Sequence, residues 1–302
     1  MLTILGADGG SPVTTLVSPS FVQPDVWSGS VATVEGTQVT VASASWTPAA
    51  FVGAYYAEIA SGEFAGAWTD IAANAAASLT TSDDLTDLVS PGDALDIRKF
   101  VTLQDFLGVD NRAGLHAAAT RDAADEVRVY NGPLPQVYWF YDGSAGGSAE
   151  WRNAAGLSAG TVIVPPGQGL AITRKVPGAL TVISSGTVKR GPTYVAVQKA
   201  NNVVDALSPL GLKLGQSNLA TDDPSTGVQS GNSPATADEV VLYPASQPKV
   251  YWHYDGSQGG SAGWYDTSYQ PADNIEIPGA SSFVINRKNG VSFFWIKPAV
   301  IP

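Results

Sequence analysis

One stretch of this sequence occurs twice. Val137-Tyr138-Trp139-Phe140-Tyr141-Asp142-Gly143-Ser144 returns as Val250-Tyr251-Trp252-His253-Tyr254-Asp255-Gly256-Ser257, 113 residues later. The same offset carries Asp125-Glu126-Val127 onto Asp238-Glu239-Val240, Trp151 onto Trp264, and Arg174-Lys175 onto Arg287-Lys288. The correspondence runs without a gap over about fifty residues, so the chain must contain two copies of one folding unit. A chain of 302 residues has room for one more. The expected organisation is an N-terminal unit over 1–100, a first repeat over 101–190 and a second over 191–302.

The local pattern is that of an all-β protein. Short apolar runs with β-branched and aromatic residues are separated by Gly, Pro, Asn, Asp and Ser. Ser30–Val34 and Gln38–Val41 flank a turn at Gly36 and read as a hairpin. Further strands are expected at Tyr55–Ile59, Ala65–Ile71, Leu79–Thr81 and Ala94–Arg98, which gives a small barrel or sandwich. Each repeat then supplies a tandem β-sandwich-like domain. In both, a hairpin is expected near the end, across Val176-Pro177-Gly178 and across Asn289-Gly290. Helix is expected only as single turns, one at Thr102–Gly108 with Thr102 as N-cap, and one at Asn202–Leu207 stopped before Pro209.

Composition narrows the function classes. Charged residues make up 14% of the chain, against about 25% in an ordinary domain. The net charge of −11 opposes nucleic-acid binding, which needs clustered Lys and Arg, and opposes an anionic membrane surface. No run is long enough for a membrane-spanning helix, so no membrane insertion is expected. With no Cys, disulfides are excluded.

These residues resemble an uncharacterised exported repeat-protein family known mainly from verrucomicrobial bacteria. The likeness rests on Ser61-Gly62-Glu63-Phe64-Ala65-Gly66, Asp83-Asp84-Leu85 and Gly92-Asp93, and on the duplicated part. There an aromatic strand ends in Asp-Gly, a Trp follows, and a later strand ends in Arg-Lys. The resemblance implies export and a trimmed N-terminus. It implies no activity and no catalytic residues.

Four groups of residues are candidates for function. Trp139, Tyr141, Trp252 and Tyr254 are candidate platforms for sugar rings or subunit contacts. One face of an alternating aromatic strand must nevertheless pack a core. Arg174, Lys175, Arg287 and Lys288 are the basic residues retained in both repeats and are candidates for the same contacts, although they also read as ordinary strand ends. The terminal segments Leu2, Thr3, Ile4, Leu5 and Phe293, Phe294, Trp295, Ile296 are apolar and β-prone, and are the candidate assembly interface. A terminal strand can complete a neighbour's open sheet edge, and such a head-to-tail contact builds filaments. The Asp-Gly-Ser loops at Asp142 and Asp255 supply one carboxylate each where calcium needs several, so they read as turns and no metal is expected.

No catalytic constellation is apparent. The two His, His116 and His253, have no Cys or second His at a useful spacing, and His253 stands where the other repeat has Phe140. No cofactor is expected. The overall expectation is a secreted, non-enzymatic structural protein whose partners are copies of itself in a filament or surface layer. The alternative is a cell-surface module that binds polysaccharide.

Overall fold

The structure is a computed structural model that describes residues 2–130, 134–205, 208–243, 247–288 and 291–299. It opens with β1 (Leu2–Ile4) and β2 (Val13–Val17). Seven strands follow: β3 (Asp25–Ser30), β4 (Thr33–Glu35), β5 (Gln38–Thr40), β6 (Tyr55–Ile59), β7 (Trp68–Asn74), β8 (Ser78–Thr81) and β9 (Ala94–Lys99). The first repeat holds β10 (Val101–Thr102), α1 (Leu103–Leu107), β11 (Glu126–Val129), β12 (Gln136–Tyr141), β13 (Glu150–Asn153), β14 (Ile163–Val164), β15 (Leu170–Arg174) and β16 (Leu180–Val182). The second holds β17 (Thr193–Val197), β18 (Ala200–Asp205), β19 (Leu212–Lys213), β20 (Glu239–Leu242), β21 (Lys249–Tyr254), β22 (Gly263–Asp266), β23 (Glu276–Ile277), β24 (Ser282–Arg287) and β25 (Phe293–Lys297). The fold is all-β and consists of several sheets, none of which closes into a barrel.

The repeats give matching antiparallel sheets. The first is ordered β13-β12-β11-β15-β2 and the second β22-β21-β20-β24-β18. Beside each lie two smaller ribbons, β1-β16 and β10-β14 in the first, β17-β25 and β19-β23 in the second. Register agrees as well: Val17 faces Leu170 as Val204 faces Phe283, and Val101 faces Val164 as Leu212 faces Ile277.

This correspondence corrects the expected boundaries. Leu2–Val17, grouped in the sequence with the N-terminal unit, pairs instead with the first repeat: β1 lies on β16 and β2 on β15. The seven-stranded sheet, ordered β3-β9-β6-β7-β8-β5-β4, therefore sits in the connection between β2 and β10. In the second repeat only residues 206–211 separate β18 from β19.

Two further expectations change. The strands around Val176-Pro177-Gly178 do not form a hairpin, because β15 pairs with β11 and β2 while β16 pairs with β1. The strands either side of Asn289-Gly290 likewise part, β24 to β20 and β18 and β25 to β17. The Asn289-Gly290 turn itself lies outside the described residues, as does Val300-Ile301. Asn202–Asp205 is the end of β18 and not a helical turn. The helical counterpart of α1 is instead a 3-10 turn at Leu214–Gln216. The turn expected at Thr102 is present as α1. Its capping box joins Asp105 N to Thr102 Oγ1 at 3.2 Å and Thr102 N to Asp105 Oδ2 at 3.0 Å, so two otherwise unpaired donors are satisfied.

Alternation sets the cores. Tyr138 and Phe140 on β12 point into the main core of the first repeat with Val127, Ile172 and Trp151, while Trp139 and Tyr141 on the other face pack with Ala124. The second repeat places Tyr251 with Val240, Ile285, Trp264 and Trp295, and Trp252 and Tyr254 with Ala237. The hydrophobic effect thus acts on both faces of each aromatic strand.

The repeats meet through reciprocal contacts. Asp205 N donates to Gly167 O at 2.9 Å, and Ser18 N, its counterpart just after β2, donates to Ala280 O at 3.2 Å. Gly169 N donates to Val203 O, while at the matching place Ser282 Oγ donates to Val17 O at 2.6 Å. Exchange of the same two segments in both directions is the pattern of a two-fold contact. The inserted sheet contacts the second repeat through Gly66, whose carbonyl accepts from Tyr194 N at 3.3 Å, and contacts the segment before β17 through the buried Glu58, which pairs with Lys189 and with Arg98.

Candidate functional site

The aromatic strands are less exposed than a sugar-binding platform requires. Trp139, Tyr141, Trp252 and Tyr254 are all buried, and Trp252 retains 1% of its surface. Their polar atoms are committed to the backbone. Trp139 Nε1 donates to Asn153 O and Trp252 Nε1 to Asp266 O. Tyr141 OH donates to Gly146 O at 2.7 Å and Tyr254 OH to Gly259 O at 2.8 Å, so each hydroxyl pins the Gly-rich loop that follows its strand. Those loops are Asx turns: Asp142 Oδ1 accepts from Ser144 N and Asp255 Oδ1 from Ser257 N. These hydrogen bonds hold both carboxyls below the usual carboxylate range.

The basic pairs also turn inward. Arg287 and Arg174 are buried against Asp238 and Asp125. Lys288 reaches Glu239 Oε1 at 2.6 Å and Lys175 reaches Glu126 Oε1 at 3.0 Å. Of the terminal residues, Ile4, Phe293 and Trp295 are buried, and both end strands find partners within the chain. Phe294 and Ile296, on the outer face of β25, remain exposed.

His253 accepts the place of Phe140 without new chemistry. Its ring packs edge-on against Trp264 as Phe140 does against Trp151, and Nδ1 lies 2.8 Å from Ser230 Oγ. Burial lowers its pKa and outweighs the three carboxylates that raise it. Among the described residues no three His, Cys, Asp or Glu side chains are grouped to hold a metal ion.

The repeats also differ beside the aromatic strand. On the second repeat, Trp252, Tyr254, Tyr265 and Tyr269, together with Asn232 and Gln258, line a pocket of about 290 Å³. Two of the ring pairs meet nearly at right angles, while Trp252 and Tyr265 are tilted by 37° at 6.1 Å. Trp252 and Tyr269 have centroids 5.6 Å apart at 81°, and Tyr254 and Tyr265 lie 5.9 Å apart at 89°. Edge-to-face packing of this kind fixes the walls of the pocket.

In the first repeat the same slot is closed from within. Arg152 occupies the position of Tyr265, and its guanidinium lies over the Tyr141 ring, 3.6 Å from the centroid. Glu150 Oε1 accepts from Arg152 Nε at 3.0 Å and holds it there. Gly156 stands where the second repeat has Tyr269. Both positions are left-handed, with φ of 78° at Gly156 and 60° at Tyr269. A bulky residue in this region is a backbone outlier, and such outliers concentrate at binding sites.

Tyr265 and Tyr269 were not among the residues singled out from the sequence. The signal was there, since Arg152 and Gly156 change to tyrosine inside an otherwise well-kept repeat. A difference between copies is informative only once the rest of the loop is known to superpose. Comparison with family models, with curated proteins and with solved structures finds no match to this chain.

Proposed function

We propose that this chain is a secreted, non-enzymatic binding module of the cell surface that holds polysaccharide at the Tyr265–Tyr269 pocket. The observation that carries this reading is Tyr269 itself. It keeps a large aromatic ring, 58% exposed, in a backbone conformation where the other repeat uses glycine. A ring held at a conformational cost beside three others, with neutral amide side chains in the lining, suits a ligand with apolar faces and hydroxyls. Calorimetric titration against a panel of soluble oligosaccharides tests it. Saturable binding that Tyr269→Gly weakens supports the site, and heat signals unchanged by that substitution overturn it.

A second reading, assembly with copies of itself, is favoured by the outer face of β25. Phe294 and Ile296 are 61% and 43% exposed, and Phe294 continues a row of rings through Tyr194 to Phe64. Exposed apolar rows of this kind mark contact surfaces. The in-chain pairing of β1 and β25 favours docking of faces over exchange of terminal strands. Sedimentation velocity and electron microscopy of the wild type and of Phe294→Ser with Ile296→Ser test it. Monodisperse monomers at high concentration, with or without the substitutions, refute assembly.

A further inference from the structure

The first repeat shows what the aromatic slot accepts. There the space over the Tyr141 ring is taken by the Arg152 guanidinium, with the Gly147 backbone close by and Glu150 holding the cation in place. The face of an aromatic ring carries negative potential and attracts cations, most strongly when water is excluded.

The second repeat has removed the internal cation and kept the ring. Arg152 becomes Tyr265, Glu150 becomes Gly263 and Gly156 becomes Tyr269. The exchange deletes the plug, deletes the carboxylate that anchored it, and adds two rings. Trp252, Tyr254, Tyr265 and Tyr269 then surround one space from several directions, with Trp252 and Tyr254 inclined at 76°. Trp252 and Tyr265 are tilted by 37° and the other ring pairs stand at 76° to 89°, so the rings do not offer one broad flat platform on which a whole pyranose stacks. With Trp252 at 1% and Tyr254 at 9% exposure, the rings open to a ligand are those of Tyr265 and Tyr269. The four rings together form a box for a compact group. No Lys or Arg lines that box, and the chain as a whole carries −11.

We infer that the group entering this pocket is a compact organic cation, presented by a polysaccharide as the free amino groups of de-N-acetylated amino sugars. This rests on the polysaccharide reading above and narrows it. The rings supply the attraction for the ammonium, and Asn232 and Gln258 offer neutral hydrogen-bonding partners to the hydroxyls beside it. Tyr269 completes the box at the solvent side.

Isothermal titration of the full chain with glucosamine oligomers, and with fully N-acetylated oligomers of equal length, tests the inference. Wild type is expected to bind the glucosamine oligomers at one saturable site, about ten-fold more tightly than the acetylated ones. Tetramethylammonium is expected to compete. Tyr269→Gly, which restores the residue of the first repeat and changes no charge, should weaken binding about ten-fold. Tyr265→Arg installs the internal plug of the first repeat and should abolish site binding, with an unchanged far-UV spectrum. Glucosamine binding that Tyr269→Gly leaves unaltered would mean only general attraction to an acidic chain, and overturns the inference. Equal binding of both oligomers, lost in Tyr269→Gly, overturns the cation while leaving the polysaccharide reading in place. Absence of binding to either oligomer and to the wider panel overturns both.

Discussion

Arg287 and Asp238 form an ion pair, Nη1 to Oδ2 at 2.8 Å, in which neither side chain retains any exposure. The pair is fully partnered. Arg287 also donates to Val291 O, Gly227 O and Pro224 O, and Asp238 accepts from Lys288 N at 2.7 Å and Gln229 N at 2.8 Å. It ties β24 to the start of β20 and to the long loop ahead of it. Removing one partner strands a buried charge, so Asp238→Ala should destabilise the second repeat by about 3–5 kcal/mol. Lys288→Ala, which breaks a part-exposed pair, should cost about 1 kcal/mol or less. Urea unfolding of both variants compares them directly.

The left-handed position shared by Gly156 and Tyr269 separates backbone cost from packing. At Gly156 an added Cβ meets no atom within 4 Å, so substitution there is paid in conformation alone. Gly156→Val should therefore lose about 1–2 kcal/mol. Tyr269→Gly relieves the same strain and gives up mostly exposed ring contacts, so its stability should stay within about 1 kcal/mol of wild type. Thermal denaturation of the two variants is the measurement.

Rising pH should stabilise the folded chain through Lys189 and Lys297, whose burial outweighs the ion pair that Lys189 makes with Glu58. Burial lowers the Lys189 pKa to about 7, helped by the nearby Lys297, and lowers that of Lys297 to about 8 against the opposing pull of Asp205. The unfolded chain holds those protons up to the ordinary lysine range and the folded chain gives them up earlier. Stability from these groups is therefore least below pH 7 and rises as pH climbs from about 7 toward 10. Lys189→Met should flatten part of that rise in chemical denaturation run across the window.

The inserted sheet should be dispensable for folding of the repeats. Replacing residues 22–99 by a linker as short as the one between β18 and β19 leaves every strand of both five-stranded sheets in place. The shortened chain should keep its near-UV circular dichroism from the repeat tryptophans and unfold cooperatively. It should lose some stability, because Val22–Thr187, Glu58–Lys189 and Trp68–Tyr194 contacts go with the insert. Loss of all near-UV signal would show that the repeats depend on it.

Much of this architecture could be read from the residues. The period of 113 located β11 to β16 and β20 to β25, and Gly36 and Thr102 marked a real hairpin and a real cap. What stayed hidden were partners far apart in sequence. Val13–Val17 resembles Ala200–Asp205 too little for the eye to align them, and with Asp25–Lys99 between β2 and β10 the first repeat appeared to begin at Val101. The turn chemistry at Val176-Pro177-Gly178 was sound, but the flanking strands belong to different sheets, and no local signal distinguishes a hairpin from such a crossing. At the site, the aromatic residues kept in both repeats are buried, and in the second repeat Trp252 and Tyr254 also line the pocket. Tyr265 and Tyr269, two of the positions at which the copies differ, help to shape the pocket.

The junction between β2 and β10 carries one more implication. A chain that leaves one sheet after β2, builds a seven-stranded sheet and returns at β10 shows that the host accommodates an insert at that doorway. Its twin, between β18 and β19, has the same doorway with nothing hung on it. A foreign module whose two ends lie close together can be spliced there, making the protein a natural carrier for display.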